Sequence, residues 1–273
     1  MNATLKQNRS RIVHAIRQTG IGKLILVAAL AGLCTVSLSA APILQGSFNI
    51  TGNIIVSVGG VLGCAAVQCI SWTDPPATIP NKADISGSGL TGSFNVPTFP
   101  GTDAANIVNL NNPPEVVDMA GFPATPFMTF NGAGFAGYAL NINFISAGIF
   151  PVTQCPVAFG GTGPAPAPGQ VCTSTGSLFN FINGANGQSS ASWSLSGVAS
   201  DGGVWNAIFT AQFGTPYQTV FANLLASGFV QNSYSGTFTV VAPEPGPITL
   251  TACGLGLLLF SAGLRRKFGR SDS

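Results

Sequence analysis

Charge is the scarcest property of this chain. Only 7% of its 273 residues are Asp, Glu, Lys or Arg. The positive residues crowd into the two ends, as Lys6, Arg9, Arg11, Arg17 and Lys23 and as Arg265, Arg266 and Lys267. Between residues 42 and 242 the only base is Lys82, and there is no arginine. The same stretch carries Asp74, Asp84, Asp103, Glu115, Asp118 and Asp201, so its formal charge is −5. Histidine is absent from it as well, because the chain's one histidine is His14.

Each absence excludes a chemistry. Without histidine the central stretch cannot build a Ser-His-Asp or Cys-His site, and zinc loses its commonest nitrogen ligand. Without arginine there is no bidentate clamp for phosphate or carboxylate. A nucleic-acid partner is excluded on the same ground, since phosphate binding needs clustered Lys and Arg. No GxGxxG in a strand–helix context and no Walker A motif occurs. No catalytic residue, metal ligand or cofactor site is assigned.

Apolar residues make up 46% of the chain, with 35 glycines, 19 phenylalanines and 19 prolines. That apolar content argues for a packed core rather than disorder. Solubility then rests on Asn, Ser, Thr and Gln.

Basic residues without acids occupy positions 1–23, and Leu24–Val36 is an apolar run of 13 residues. Ser37-Leu38-Ser39-Ala40-Ala41 follows. This is the layout of a secretory signal peptide, expected over residues 1–41, with an uncleaved signal anchor as the alternative. Its partners would be the Sec translocon and signal peptidase. The central stretch, 42–242, is then an exported domain. Its four cysteines, Cys64, Cys69, Cys155 and Cys172, predict two disulfides in an oxidising compartment. The pairs Cys64–Cys69 and Cys155–Cys172 each close a local loop and are preferred among the three possible connectivities.

Period-two alternation runs through this domain. Phe48 and Ile50 alternate with polar residues, and Ile54, Val56 and Val58 follow Gly52, which is read as a bulge or turn. Ser93–Val96 is read as a short strand piece. Tyr138, Leu140, Ile142 and Phe144 share a face, as do Trp193 and Leu195. Trp205, Ala207, Phe209, Ala211 and Phe213 share another, and Tyr234, Phe238 and Val240 line the strand Ser233–Val241. Asn183–Gly187 and Asp201-Gly202-Gly203 are turn sequences. Gly160–Gly169, rich in proline, is a loop. Pro216–Ser227 is the one helix, with Thr215 as N-cap, Gly228 as stop and a stripe of Val220, Phe221, Leu224 and Leu225. The expected fold is all-β, a β-sandwich or jelly roll with one short helix.

The last thirty residues are of another kind. Pro243-Glu244-Pro245 opens a proline-rich neck, Ile248–Leu264 is 17 residues without charge, and Arg265-Arg266-Lys267 follows. As a helix the apolar run would span about 26 Å, slightly short of a bilayer core of about 30 Å. The basic cluster predicts a cytoplasmic C-terminus. Taken in order, these three parts resemble the PEP-CTERM sorting domain of bacterial exported proteins. An ordinary membrane anchor with a proline-rich neck is the alternative. The resemblance implies recognition and cleavage by an exosortase near residues 243–245. It also implies an inner-membrane precursor, a final location at the cell surface or in the extracellular matrix, and an association with exopolysaccharide. It covers residues 243–273 and leaves 42–242 unassigned.

Two chemistries survive for 42–242. Paired carboxylates, Glu115 with Asp118 or Asp74 with Asp84, would be needed for glycoside hydrolysis. The acids from Asp74 to Asp118 would be the only ligands for calcium, though no known ligand spacing is present. Trp72, beside Asp74-Pro75-Pro76, is the candidate for an exposed sugar-stacking ring, whereas Trp193 and Trp205 are expected in the core. The expected function is that of a non-enzymatic surface or matrix protein, with a carbohydrate-binding or carbohydrate-active β-sandwich as the alternative.

Overall fold

The computed structural model describes residues 43–64, 68–74, 79–110, 121–132, 134–156 and 164–242. All lie within one compact unit, Ile43–Pro243. The signal-peptide, sorting-motif, membrane-helix and basic-cluster expectations fall outside these residues. So do Glu115 and Asp118. Among the described residues no helix is long and apolar enough to cross a membrane.

The strands are β1 (Gly46–Val58), β2 (Gln68–Thr73), β3 (Lys82–Ile85), β4 (Gly101–Ile107), β5 (Thr125–Phe130), β6 (Ala139–Ile145), β7 (Val171–Cys172), β8 (Asn180–Asn183), β9 (Ser189–Ala199), β10 (Val204–Phe213) and β11 (Phe229–Val241). Among the described residues there is one helix, α1 (Tyr217–Ser227), between β10 and β11. The fold is mostly β with one helix, as expected, but it is not a sandwich. β1, β3, β4, β5, β6, β9, β10 and β11 pair antiparallel in chain order, and β11 returns to β1, closing an eight-stranded barrel. The closure is made by the first and last strands, which pair from Gly46↔Val240 to Ser57↔Phe229. Full closure removes the unpaired strand edges that a sandwich keeps. β2 lies beside the second half of β1, and β8 with β7 lies beside the first half of β9.

Alternation supplies the barrel wall. In β9 and β10 the inward residues are Trp193, Leu195, Trp205, Ala207 and Phe209, and Ser192, Ser194, Ser196 and Asn206 face out. The interior is filled with rings rather than hollowed for a ligand. Phe48 stacks on Phe238 at 4.9 Å, Trp193 on Phe209 at 5.3 Å, and Phe127 on Trp205 at 5.6 Å. What space remains under α1 is an apolar cavity of about 30 Å³ lined by Ile54, Phe181, Trp193 and Leu224. Small-molecule pockets run to about 300 Å³ and more.

Several local expectations change. Gly52 is neither bulge nor turn, because Phe48, Ile50, Gly52, Ile54 and Val56 all point inward in one uninterrupted strand. It is a close approach instead: a Cβ there would lie 2.8 Å from the Thr73 carbonyl oxygen and 2.9 Å from the Tyr234 ring. Ser93–Val96 is not a strand; Gly92–Phe94 is a 3-10 turn that delivers Phe94 into the core. In β6 the register against β9 shifts between Ile142 and Phe144, so Ile145 rather than Phe144 takes the next inward place. Such bulges bend a strand and suit a curved wall. The α1 cap moves by one residue, with Pro216 at the N-cap and Gly228 left-handed at the C-terminus. Tyr217, Val220 and Leu224 form the buried face of α1, and Leu225 is exposed. Trp72 is fully buried, so it cannot offer a ring to a ligand.

Both expected disulfides are formed, Cys64–Cys69 and Cys155–Cys172. The second closes the longer loop, at a sequence separation of 17. On the chain-entropy model it stabilises by about 3 kcal/mol, against about 2 kcal/mol for the shorter loop.

The chain's three tyrosines, Tyr138, Tyr217 and Tyr234, all have their hydroxyls pushed above the ordinary value of 10.0. Burial is the main cause in each, joined by the negative charge of Asp201 at Tyr138 and of Asp84 at Tyr234. The folded barrel therefore holds these protons at pH values where the unfolded chain releases them. Stability is intact below pH 10 and falls as the pH rises above it. A spectrophotometric alkaline titration should show no gradual tyrosinate signal near pH 10, then one cooperative step coincident with loss of the near-UV circular dichroism. A smooth single-group titration centred near 10 would contradict the burial of all three.

Candidate functional site

Of the acids weighed for catalysis or calcium, Asp74 and Asp84 accept backbone amides, Asp103 Oδ1 is buried without a hydrogen-bond partner, and Glu115 and Asp118 lie outside the described residues. The buried Asp74 carboxylate accepts the Ile79 amide. Asp84 Oδ1 accepts the Asp103 amide at 2.8 Å. Asp201 accepts from Leu44 at 2.7 Å and from Gly203 at 3.0 Å, tying the start of the barrel to the β9–β10 turn. These contacts shape loops and do not converge on a cleft. Asp84 and Asp103 are brought together, but the amide of one fills a lone pair of the other. Among the described residues no three of His, Cys, Asp and Glu gather as a metal site.

A different group does converge. Lys82 on β3 pairs with Asn106 on β4, which pairs with Thr129 on β5. Ala83, Ala105 and Phe130 fill the inward places beside them, so these three polar residues form an outward row across the wall. The Lys82 ammonium donates to Asn106 Oδ1. Asn106 Nδ2 donates to Asn131 Oδ1 at 2.7 Å and weakly to Thr129 Oγ1 at 3.4 Å, and Asn131 Nδ2 donates to the Asp103 carbonyl at 2.8 Å. With its amide held from both sides, Asn106 has one orientation, and the lone base is fixed against the wall.

Beside this row lies a surface groove of about 380 Å³, lined by Asn81, Asn106, Val108, Asn109, Pro126 and Thr129, with the Ile107 and Met128 side chains buried beneath. Asn81 holds a left-handed backbone at φ 60°, a conformation that Asn adopts more readily than most residues. Its amide donates to the Trp72 carbonyl at 2.8 Å, and its carbonyl accepts from Ile107 at 3.0 Å. Asn109 Oδ1 accepts the Trp72 amide at 2.9 Å, which leaves its Nδ2 as the outward group. The groove is therefore braced by the backbone of β2. Composition marks Lys82 as the only base between residues 42 and 242 but marks none of the asparagines. Four asparagines spread over Asn81–Asn131 have no motif spacing, and only strand pairing brings them together.

The arrangement offers side-chain amide donors and acceptors in the groove, with the Lys82 ammonium bonded to Asn106 beside it. Among the described residues the groove holds no nucleophile–base pair. No protein-family model, no curated protein and no solved structure matches this chain.

Proposed function

We propose that this chain is a non-enzymatic exported protein of the cell surface or extracellular matrix. It would be led out by the signal peptide 1–41 and held by the apolar segment 248–264. Sorting and cleavage by an exosortase would follow at Pro243-Glu244-Pro245. The observation that carries the non-enzymatic part is the filled barrel: its interior holds stacked rings, and the Asp74, Asp84 and Asp201 carboxylates serve backbone amides. The two disulfides support an oxidising compartment. Carbohydrate binding is kept as a second reading because of the asparagine-lined groove. Of the two carboxylate pairs weighed for carbohydrate hydrolysis, Asp74 and Asp84 are separately engaged, and Glu115 with Asp118 lies outside the described residues.

Mass spectrometry of the protein recovered from its own cells tests the route. Mature ends just after residues 39–41 and near 243–245 are expected. Changing Pro243-Glu244-Pro245 to alanines should leave the C-terminal segment attached. Release of that variant as efficiently as the unaltered chain would remove the motif from the account.

A further inference from the structure

We propose that Lys82 and Asn106 react with one another to form an isopeptide bond, a covalent cross-link between β3 and β4. The inference concerns the barrel wall. It is independent of the sorting route and of any ligand in the groove.

Nucleophile and electrophile are already in contact. Lys82 and Asn106 stand directly opposite in the β3–β4 register, and both side chains lie on the outward face. Lys82 Nζ is hydrogen-bonded to Asn106 Oδ1. A carbonyl bond is about 1.2 Å long, so this contact leaves Nζ within about 4 Å of Cγ, close to attack distance. Asn106 Nδ2 is held at the other end, by Asn131 Oδ1 at 2.7 Å and Thr129 Oγ1 at 3.4 Å. The carbonyl end of the amide therefore faces the lysine, and the leaving nitrogen faces away from it. Holding two reactants in such a geometry removes much of the barrier of a bimolecular encounter. The bond forms once per chain, so no turnover is needed.

The step balances without a co-reactant. The Nζ–Cγ bond forms, the Cγ–Nδ2 bond breaks, and the carboxamide nitrogen departs with its bonding pair as ammonium. Lys82 enters as an ammonium and gives up two protons, and the leaving nitrogen takes up two. Thr129 presents a hydroxyl beside Nδ2, and a hydroxyl both donates and accepts, so it can pass a proton to the leaving nitrogen. Asp84 shares the outward face of β3 with Lys82, two residues along. It is the carboxylate placed to draw off the lysine protons through water, while its Oδ1 holds the Asp103 amide.

The cross-link falls where the wall has least support. β3 is four residues long and meets β1 only at Ile50↔Ile85 and Thr51↔Asp84. Its pairing with β4 shifts register between Ala83 and Ile85. Neither disulfide reaches this part of the wall, since no cysteine occurs between residues 70 and 154. Lys82 is the only base between residues 42 and 242, so it is the one side-chain amine there that can form the bond.

The test uses the full chain, purified in detergent with its disulfides formed. Its intact mass should fall short of the sequence mass by one ammonia. After reduction and unfolding, trypsin should fail to cut after Lys82, because the amine is acylated, and peptic digestion should release a branched peptide joining the segments around Lys82 and Asn106. Lys82→Met and Asn106→Ala should each restore the full sequence mass. Asp84→Asn, which keeps the acceptor for the Asp103 amide and removes the charge, should leave most chains open to trypsin after Lys82. The unaltered chain decides the matter even if a variant fails to fold. Complete tryptic cleavage after Lys82, with the full sequence mass, would overturn the cross-link. So would a missing ammonia that persists in both the Lys82 and Asn106 variants, since the loss would then lie elsewhere, as at Asn186-Gly187. Full cross-linking in Asp84→Asn would overturn the part given to Asp84.

Discussion

Trp72→Ala is expected to destabilise the barrel by about 3–5 kcal/mol, the usual cost of emptying a buried tryptophan site. Trp72 is fully buried, and four rings surround it: Tyr234 at 5.0 Å, Phe209 at 5.3 Å, Phe127 at 6.2 Å and Trp193 at 6.4 Å. None of those rings can collapse into the space without leaving another partner, since Phe209 also stacks on Trp193. An exposed tryptophan at the same position would cost within about 0.5 kcal/mol, so urea denaturation separates the two placements cleanly. For a domain of this size the drop in Tm should be about 10 °C or more. A second effect follows from the backbone of the same residue. Its amide and carbonyl hold Asn109 and Asn81, so losing the packing of β2 should also loosen the groove.

Trp72 also shows why the sequence was misleading there. Its neighbours Asp74, Pro75 and Pro76 read as a solvated loop, and a six-residue strand is too short for alternation to outweigh them. β3 and β4 were missed for a related reason. Lys82-Ala83-Asp84-Ile85 and Gly101–Ile107 each put one alanine and one isoleucine in the inward places, so a single large apolar residue per strand is too little to mark the period. Where tryptophan or phenylalanine alternates with serine, asparagine or threonine, as in β9 and β10, the strands and their faces were legible residue by residue. So was α1, because Gly228 stops it in a left-handed conformation. Closure was not legible. A period of two is the same in a sandwich and in a barrel, and the difference lies in which strands pair. Here that is the long register of β1 with β11. The groove is a product of the same pairing. Lys82, Asn106 and Thr129 become neighbours only once β3, β4 and β5 are side by side.

Gly197→Ala should cost about 3–5 kcal/mol, from a single added methyl group. Gly197 lies on β9 between Ile142 on β6 and Trp205 on β10. A Cβ built on it would sit 1.9 Å from the Asn141 carbonyl oxygen and 2.9 Å from both the Asn141 carbonyl carbon and Ile142 Cα. Those atoms are backbone in a closed wall, so no side-chain rotation relieves the clash. Overpacking of this kind costs about 1–3 kcal/mol before any polar loss is added. The polar loss is specific, because the same Asn141 carbonyl accepts the Trp205 indole at 3.0 Å. Pushing the carbonyl away leaves a buried donor unpaired, for about 1–3 kcal/mol more. Gly214→Ala is the control. Nothing lies within 4 Å of its added Cβ and its φ is ordinary. There alanine should be neutral or stabilise by about 0.4–1 kcal/mol through the unfolded chain. The double variant with Trp205→Phe dissects the mechanism. Phenylalanine has no indole to lose, so the two changes should cost less together than their sum. Urea midpoints for Gly197→Ala and Gly214→Ala that coincide would mean that β6 moves aside freely. Strict additivity in the double variant would mean that the indole bond is not the element the methyl group disrupts.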